Sequence, residues 1–206
     1  MIKKTKSESL TIEHRGLVDC PSIPWKNLKG VTREIGKDNN EPFLWRLSSA
    51  VLREDAPFSD FSQYDRVLCL IEGGPIVLSH LGGKQRQLEK MVPYNFSGKL
   101  KTEALVSVLS VDLNLFLLKG KSKGAIYPVY FNSNEEYQFP LSAYEHFVFC
   151  IQGKLTVVER YSQQKFTLNS NEWIRMTRLG KKEYPNLQIF SSQASSKALW
   201  IPIHRL

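Results

Sequence analysis

The sequence lacks the long apolar runs and paired cysteines that define several large classes of protein. No run reaches transmembrane length, and the polar start MIKKTKSESLTIEH contains no apolar signal-peptide core. The cysteines Cys20, Cys69 and Cys150 are widely spaced and form no zinc or redox motif. Because Cys69 and Cys150 fall within apolar runs, where a free thiol acts as a small buried hydrophobe, we expect a cytoplasmic protein without membrane segments.

Common catalytic motifs are also missing. The four histidines are separated in the sequence, with no His-x-His pair on any strand, so we predict no metal site and no cofactor. There is no G-x-S-x-G elbow and no cysteine beside a histidine. The glycine pairs at residues 73–74 and 82–83 are typical of turns rather than of phosphate-binding loops. We therefore predict no catalytic residue from motifs.

Long helical patterns and clusters of one charge sign are scarce. No segment sustains a 3.6-residue apolar period, which argues against long helices. The net charge is +8, from 28 basic and 20 acidic residues. The lysines are nevertheless scattered over the N-terminus and the predicted turns, where charge usually solvates a surface. Nucleic-acid binding is therefore not favoured, whereas a small anionic ligand is compatible with this charge.

The sequence does contain a repeated hairpin pattern. Residues 65–80, DRVLCLIEGGPIVLSH, are typical of a strand, a glycine turn and a second strand. Residues 145–160, EHFVFCIQGKLTVVER, have the same layout 80 positions later. Gly73 and Gly153 keep this offset without a gap. We interpret the pattern as an internal duplication rather than as the chance similarity of two hairpins.

Many short apolar segments separated by glycine and proline turns predict an all-β fold. Together with the duplication, they predict two jelly-roll β-barrel halves and few short helices. The polar stretch 119–136 is expected to join the halves, which gives boundaries of 1–125 and 126–206. Residues 1–10 are expected to be frayed, and prolines predict loops at residues 20–30 and 93–98.

Two predicted strands have one polar face each. In residues 109–118, LSVDLNLFLL, the leucines and Val111 alternate with Ser110, Asp112, Asn114 and Phe116. Residues 43–52 alternate in the same way between an apolar face and a mixed face. Such strands suit the wall of a barrel with an apolar outer side and a polar cavity inside.

Arginines on or beside these strands are the candidate ligand-binding groups. Arg33, Arg46, Arg53 and Arg66 would be costly in apolar strands unless each is paired or faces a ligand. A planar guanidinium binds a carboxylate through two parallel hydrogen bonds, so an inward arginine suits a small organic acid. The alternative is that each pairs with a structural acid, for example Arg66 with Asp112. For Trp25, Trp45, Phe58 and Phe61, packing is favoured over a role as a ligand-stacking surface.

Four motifs together resemble the HutD/Ves family. They are PWKNLKGVTREI at residues 24–35, WRLSSA at 45–50, PFSDFSQYDRVL at 57–68 and VDLN at 111–114, in the order and spacing of that family. The resemblance covers residues 10–120 well, and the remainder fits a generic second cupin half.

This resemblance implies a bacterial double cupin of the RmlC-like jelly-roll type. Family members are encoded with histidine-utilisation genes or, in the Ves branch, described as stress- or cold-associated. The family has no established enzymatic activity, lacks metal-binding cupin histidines, and is suspected to bind a small carboxylate such as urocanate or a formylated pathway product.

We assign candidate roles to the positions that match the motifs. Arg46 and Arg66 would bind the carboxylate, and Asp112 would hold an arginine or accept a ligand N–H. The groups that would orient the ligand are Asn27, Thr32, Ser48 and Asn114. Arg33 and Ser59 complete the predicted ligand-binding set.

The sequence departs from the family pattern at three places. Leu28-Lys29-Gly30 stands where the family has a glycine triplet, so two side chains occupy a loop that normally allows close backbone approach. Ser62-Gln63 replaces a common Pro-Gly, and the family's cysteine before the Asp-x-Asn strand is absent. The first departure bears on the identity of the ligand.

Three functions are consistent with these observations. The first is binding of a small anionic metabolite by a regulator of histidine utilisation or of a stress response. The second is a metal-independent cupin isomerase or hydrolase, with Glu34 or Asp112 as the base. The third is a non-catalytic interaction module whose exposed sheet pairs with a partner or forms a homodimer.

Overall fold

A computed structural model describes residues 3–6, 10–25, 29–160, 163–180 and 186–206, with the backbone alone for 3–6. These residues form strands and one short 3-10 helix, Leu17–Asp19, so the all-β prediction is confirmed. No helix in the described ranges is both long enough and apolar enough to cross a membrane.

The strands of the first part of the chain are β1 Lys3–Lys6, β2 Leu10–Gly16, β3 Ser22–Pro24, β4 Gly30–Lys37, β5 Trp45–Leu52, β6 Ala56–Pro57, β7 Tyr64–Glu72, β8 Ile76–His80, β9 Gln85–Leu88, β10 Tyr94–Ser97, β11 Thr102–Leu105, β12 Ser110–Leu118 and β13 Ser122–Gly124. Those of the second part are β14 Tyr127–Phe131, β15 Glu136–Phe139, β16 Glu145–Gln152, β17 Lys154–Glu159, β18 Gln164–Asn169, β19 Glu172–Arg178, β20 Leu187–Phe190 and β21 Ser196–Arg205.

The chain divides into two compact units, which we call the N-unit and the C-unit. The N-unit contains residues 20–126 and 205–206, and the C-unit contains residues 1–19 and 127–204. The sequence predicted that residues 1–19 belong to the first half. In the structure they lie in the C-unit, because β2 pairs with β19 and its apolar side chains Leu10 and Ile12 are buried in the core of that unit.

The N-unit consists of two antiparallel sheets with an apolar core between them. One sheet has the strand order β10-β7-β12-β5-β4-β3, and the other has the order β6-β11-β8-β9. Leu68 and Leu70 of the first sheet pack with Ile76 and Leu78 of the second. Burial of these aliphatic side chains supplies the main stabilisation of the unit.

The C-unit repeats this arrangement. Its larger sheet contains the order β1-β2-β19-β16-β21, with β14 also paired to β21, and its smaller sheet has the order β15-β20-β17-β18. Val148 and Trp200 from the larger sheet share a core with Leu155 and Ile189 from the smaller one. Strands β7 and β8 of the N-unit therefore correspond to β16 and β17 of the C-unit.

The two predicted hairpin turns have the same backbone conformation. Gly73 has a φ of 90° and Gly153 has a φ of 86°, in the left-handed region that disfavours residues with a Cβ atom. A Cβ atom on Gly73 would also lie 2.4 Å from the carbonyl oxygen of Leu109. Glycine is therefore required at the position that the duplication pattern singled out.

Several strands lie where the sequence predicted none. The predicted frayed start contains β1, and the predicted loops contain β3 and β10. Strands β13 and β14 lie in the stretch predicted to join the halves. Each forms because a neighbouring strand offers a backbone hydrogen-bonding edge, which local proline and polar residues do not reveal.

Candidate functional site

A cavity of about 470 Å³ opens in the N-unit. Its volume falls within the range of small-molecule sites. The lining residues combine aromatic rings, short polar side chains and two guanidiniums: Pro24, Trp25, Thr32, Arg46, Ser48, Ala50, Pro57, Phe58, Ser59, Phe61, Arg66, Asn114 and Phe116.

The pairing of three strands brings the two arginines together. Phe116 on β12 lies opposite Arg46 on β5 and opposite Arg66 on β7. Residues directly opposite each other on antiparallel strands point to the same face of a sheet, so these three side chains form one row. Phe96 on β10 continues the row beyond Arg66.

The next two rows on the same face carry smaller polar and apolar groups. Two residues from Phe116, Asn114 lies opposite Ser48, and both line the cavity. One row further, Asp112 lies opposite Ala50, which is itself opposite Thr32 on β4. The period of two residues along each strand thus accounts for the polar wall of the cavity.

Arg66 is buried among aromatic rings. Only 5% of the residue is exposed. Its guanidinium carbon lies 4.5 Å from the ring centroid of Phe58, 4.7 Å from that of Phe116 and 5.0 Å from that of Phe96. At such distances the negative faces of the rings attract the cation.

No carboxylate neutralises Arg66 directly. Its Nε donates a long hydrogen bond of 3.4 Å to Oδ1 of Asn114, and within the described ranges it forms no ion pair with an acidic side chain. Burial lowers its pKa to about 10, while attraction from Asp112 opposes this shift and repulsion from Arg46 adds to it. Arg66 is therefore a charged group at neutral pH with unused hydrogen-bonding capacity.

Arg46 lies in a similar environment. Its guanidinium carbon is 4.5 Å from the ring centroid of Phe116 and 5.1 Å from that of Phe61. Its buried Nε has no hydrogen-bond partner among the described residues. Burial lowers the pKa of Arg46, and attraction from Glu34 opposes that shift. Both guanidiniums thus contact the same phenylalanine ring.

Asp112 lies on the same face but does not line the cavity. It is 1% exposed, and its Oδ1 accepts a hydrogen bond of 3.1 Å from the backbone N–H of Ala50. Burial raises its pKa to about 7, while attraction from Arg66 and the bond from Ala50 oppose the shift. The alternative considered for Arg66, an ion pair with Asp112, is wrong: the two interact only at longer range, and Arg66 bonds to Asn114 instead.

Trp25 forms one side of the cavity and is held by its neighbours. Its Nε1 donates a hydrogen bond of 2.8 Å to Oγ1 of Thr32, and its backbone N–H donates one of 2.9 Å to the carbonyl of Gly30. A Cβ atom on Gly30 would lie 2.9 Å from the indole ring and 2.7 Å from the carbonyl oxygen of Val51. Gly30 therefore allows the indole to pack directly on the backbone.

The structure brings six of the nine predicted ligand-binding residues to this cavity: Thr32, Arg46, Ser48, Ser59, Arg66 and Asn114. Arg33 is adjacent to Thr32 on β4 and does not line it, because successive residues point to opposite faces of a strand. Asp112 lies behind the lining, and Asn27 falls outside the described residues.

The aromatic residues have the packing roles that the sequence favoured, and three of them also line the cavity. Trp25 and Phe58 pack against the apolar core, Phe61 packs on Phe116, and Trp45 is fully buried. Alternation had placed Phe116 on the polar face of its strand, which was the available signal for its role. The interior is also not polar throughout: Leu68 and Leu70 share the face of Asn114 and Asp112 and fill the other end with core.

Within the described ranges, no three His, Cys, Asp or Glu side chains come together in a group that could hold a metal ion. The two buried histidines have protein partners. Nδ1 of His80 lies 2.8 Å from Oγ1 of Thr102, and the backbone N–H of Ala143 donates a 3.0 Å hydrogen bond to Nε2 of His146.

The arrangement is suited to holding a small anion. The guanidiniums of Arg46 and Arg66 supply charge in a surrounding of low polarity, and Ser48 and Asn114 supply hydrogen-bonding groups on the adjacent row. Aromatic rings pack against both guanidiniums. A carboxylate placed between them would form charge-assisted hydrogen bonds that water competes with only weakly.

Comparison with known sequences identifies a family that matches most of the chain and relatives that match part of it. The sequence profile of the HutD family matches residues 18–189. An uncharacterized 21.2 kDa protein in the hutC 3' region of Pseudomonas putida is 38% identical over 84 residues, 39% of this chain and 44% of that protein. Protein Ves of Citrobacter koseri is 31% identical over 119 residues, 56% of this chain and 62% of Ves. The chain spans about half the length of these curated relatives.

Solved structures share the fold. The structure of HutD from Pseudomonas fluorescens SBW25, described as a formate condition, has a TM-score of 0.78 and 25% identity, covering 95% of this chain and 99% of that one. A cupin 2 conserved barrel domain protein from Leptotrichia buccalis has a TM-score of 0.57 and 10% identity, covering 89% and 96%. The predicted double-cupin fold and the predicted resemblance are both confirmed.

Proposed function

The chain belongs to the HutD family, and from that premise we propose that its N-unit binds a small carboxylate as a regulator of histidine utilisation. The observation that carries the proposal is Arg66, a residue that is only 5% exposed and that lines a 470 Å³ cavity without a carboxylate partner among the described residues. A buried charge of this kind is costly unless a ligand neutralises it.

The cavity favours a carboxylate over a neutral ligand. Arg66 can present its guanidinium edge for two parallel hydrogen bonds, and Arg46 lies on the other side of Phe116 in the same row. Trp25 and Phe58 would cover the apolar part of the ligand. Urocanate, a planar acid with one carboxylate, is the probe that fits the family context.

The regulatory part of the proposal is supported by the names of relatives alone. One solved structure is named HutD, and one relative is located in the hutC 3' region of its genome. A protein that binds a pathway acid without converting it would report the concentration of that acid. Regulation of histidine utilisation is therefore the role we infer for ligand binding in this chain.

Isothermal titration with urocanate tests the binding site. We expect saturable binding to the wild-type protein and a loss of affinity of about 30-fold or more in Arg66→Met, since a hydrogen bond to a charged group contributes about 2 kcal/mol. Arg53→Met is the matched control, because Arg53 is exposed and does not line the cavity. Equal affinities for wild type and Arg66→Met would contradict the proposed site.

Proton NMR of the same mixture separates binding from catalysis. A metal-independent isomerase or hydrolase would convert urocanate during incubation, whereas a binding protein leaves its spectrum unchanged apart from line broadening. We expect no conversion. New product resonances that depend on the protein would favour the enzymatic alternative.

A further inference from the structure

Asp112 forms a buried carboxyl directly behind the cavity wall. Its two neighbours on the wall are Ala50, opposite it on β5, and Asn114, two residues along β12; both line the cavity. The Ala50 N–H is the only hydrogen-bond donor to Asp112 in the described parts of the chain. One neutral donor satisfies a small part of the hydrogen-bonding capacity of a carboxylate.

The charged and titratable groups around Asp112 come from three strands. On β7 they are Arg66 and Cys69, and Cys69 has its pKa raised to about 12 by burial and by the charge of Asp112. Arg46 on β5 repels Arg66, and Glu34 on β4 attracts Arg46. With Asp112 ionised, the two arginines and two acids of this group sum to no net charge; with Asp112 protonated, they sum to +1.

We propose that the N-unit takes up its carboxylate ligand together with one proton, which binds Asp112. This inference rests on the proposed function of the cavity. The proton comes from solvent and forms an O–H bond with a carboxylate oxygen of Asp112, and no covalent bond is broken. The charge of the bound anion is then balanced by the net charge of +1 on the two arginines and two acids.

The physical reason is competition for Arg66. In the free protein Arg66 is the cation that stabilises ionised Asp112. A ligand carboxylate bound to the same guanidinium takes over that interaction and adds a like charge nearby. Two carboxylates that share one site do not both stay ionised readily, so the one that is more deeply buried takes the proton.

The ionisation behaviour of the free protein is consistent with this coupling. Burial raises the pKa of Asp112 to about 7, so small changes in its surroundings alter its charge near neutral pH. The effect on binding has a defined sign. Above about pH 7 the proton must be taken from solvent, and the affinity for a carboxylate falls by about tenfold for each further pH unit.

Calorimetry with urocanate at about pH 8, in buffers with different ionisation enthalpies, measures the protons taken up on binding. We expect about one proton per urocanate bound to the wild-type protein. Asp112→Asn should bind urocanate with no proton uptake and with an affinity independent of pH between about 7 and 9. Glu103→Gln, which removes an exposed carboxyl on β11, is the control and should keep the uptake of the wild type.

Infrared difference spectra of the wild-type protein give a test that does not depend on the folding of a variant. On addition of urocanate at about pH 8, a carboxylic acid C=O band of a buried group should develop, and the same band should be missing in Asp112→Asn.

Binding without proton uptake would overturn this inference and leave the proposed function intact. Uptake that persists in Asp112→Asn would overturn it too, because the proton would then reside on the ligand or on another group. Failure of urocanate and other small carboxylates to bind the wild-type protein at any pH would instead overturn the proposed function.

Discussion

The N-unit and the C-unit use the same strand frame to build different interiors. Asn114 of β12 lies opposite Leu68 of β7 in the N-unit, and Trp200 of β21 lies opposite Val148 of β16 in the C-unit. The two positions correspond in the frame, yet one holds a short amide and the other an indole. The smaller side chain leaves room for a ligand, whereas the larger one fills the same place with protein.

Two further pairs of corresponding positions also hold different side chains in the two units. Asp112 in the N-unit corresponds to Ala198 in the C-unit, and Arg66 corresponds to His146 at the offset of the repeat. His146 is fully buried, stacks on Trp200 with 4.8 Å between ring centroids and accepts a backbone hydrogen bond. The C-unit thus encloses its interior polar group in protein, although Nδ1 of His146 has no hydrogen-bond partner among the described residues, whereas the N-unit leaves Arg66 open to a cavity.

The two units also differ in how their buried charged side chains are paired. In the C-unit, Glu145 is 1% exposed and accepts hydrogen bonds of 2.9 Å and 2.7 Å from Arg175, together with one of 2.7 Å from Thr177. This buried carboxylate is fully compensated within the fold. Arg175, which has a structural role, is therefore paired with an acidic side chain of the fold, whereas Arg66, the candidate binding residue, is not.

The largest expected difference between the two units is in the loss of stability when Arg175 or Arg66 is replaced. Arg175→Met leaves Glu145 buried without its cation and should lower the free energy of unfolding by about 3–5 kcal/mol. Arg66→Met should change it by no more than about 1 kcal/mol, since Arg66 forms no ion pair and interacts with Asp112 only at longer range. Urea denaturation of both variants measures the difference, and equal losses would contradict it.

The next largest expected difference between the two units is the way in which a buried titratable group makes stability depend on pH. Asp112 has a pKa raised from 3.8 to about 7, so the folded state binds more protons than the unfolded state in that range and stability falls as pH rises through it. His146 has a pKa lowered from 6.5 to about 3 by burial, so its contribution to stability falls as pH decreases through that range. The two contributions have opposite signs.

Asp112→Asn should therefore be more stable than the wild type at about pH 8, by on the order of 2–4 kcal/mol, with the gain vanishing below about pH 4. Urea denaturation over a pH series measures this. A constant difference between variant and wild type across the series would show that Asp112 does not titrate as described.

A glycine-to-alanine change tests the wall of the N-unit cavity. Gly30→Ala places a methyl group against Trp25 and against the backbone of Val51, and should lower the free energy of unfolding by about 1–3 kcal/mol. Gly180→Ala in the C-unit meets no atom within 4 Å and should stay within about 0.5 kcal/mol of the wild type. Denaturant titration compares the two, and a harmless Gly30→Ala would contradict the close packing of Trp25.

The smallest expected effect is that of replacing Asn114, which occupies the position that Trp200 has in the C-unit. Asn114→Ala removes the side chain that holds Nε of Arg66 and should weaken urocanate binding by about 3–10-fold, as expected for one hydrogen bond of about 1 kcal/mol. Asn95→Ala, at an exposed position on β10, is the control and should bind like the wild type. Calorimetry distinguishes them; matching affinities would show that Asn114 does not orient Arg66 for the ligand.

Much of the site could be predicted because strand alternation is local. The period of two placed Asp112, Asn114 and Phe116 on one face, and the cost of an arginine in an apolar strand selected a set of four arginines that includes Arg46 and Arg66. Arg33 was assigned to the site although its neighbour Thr32 is the one that faces the cavity. The motif resemblance named both residues and did not say which face each would occupy.

The sequence by itself determined the all-β class, the duplicated hairpin with its glycine turns, and the residue types available for binding an acid. These follow from backbone conformation and side-chain periodicity, which act over a few residues. The tertiary structure alone decided that residues 1–19 complete the C-unit, that Leu68 and Leu70 fill one end of the N-unit interior, and that Arg66 bonds to Asn114 rather than to Asp112. Those outcomes depend on which strands pair and in what register, and residues distant in sequence set that register together.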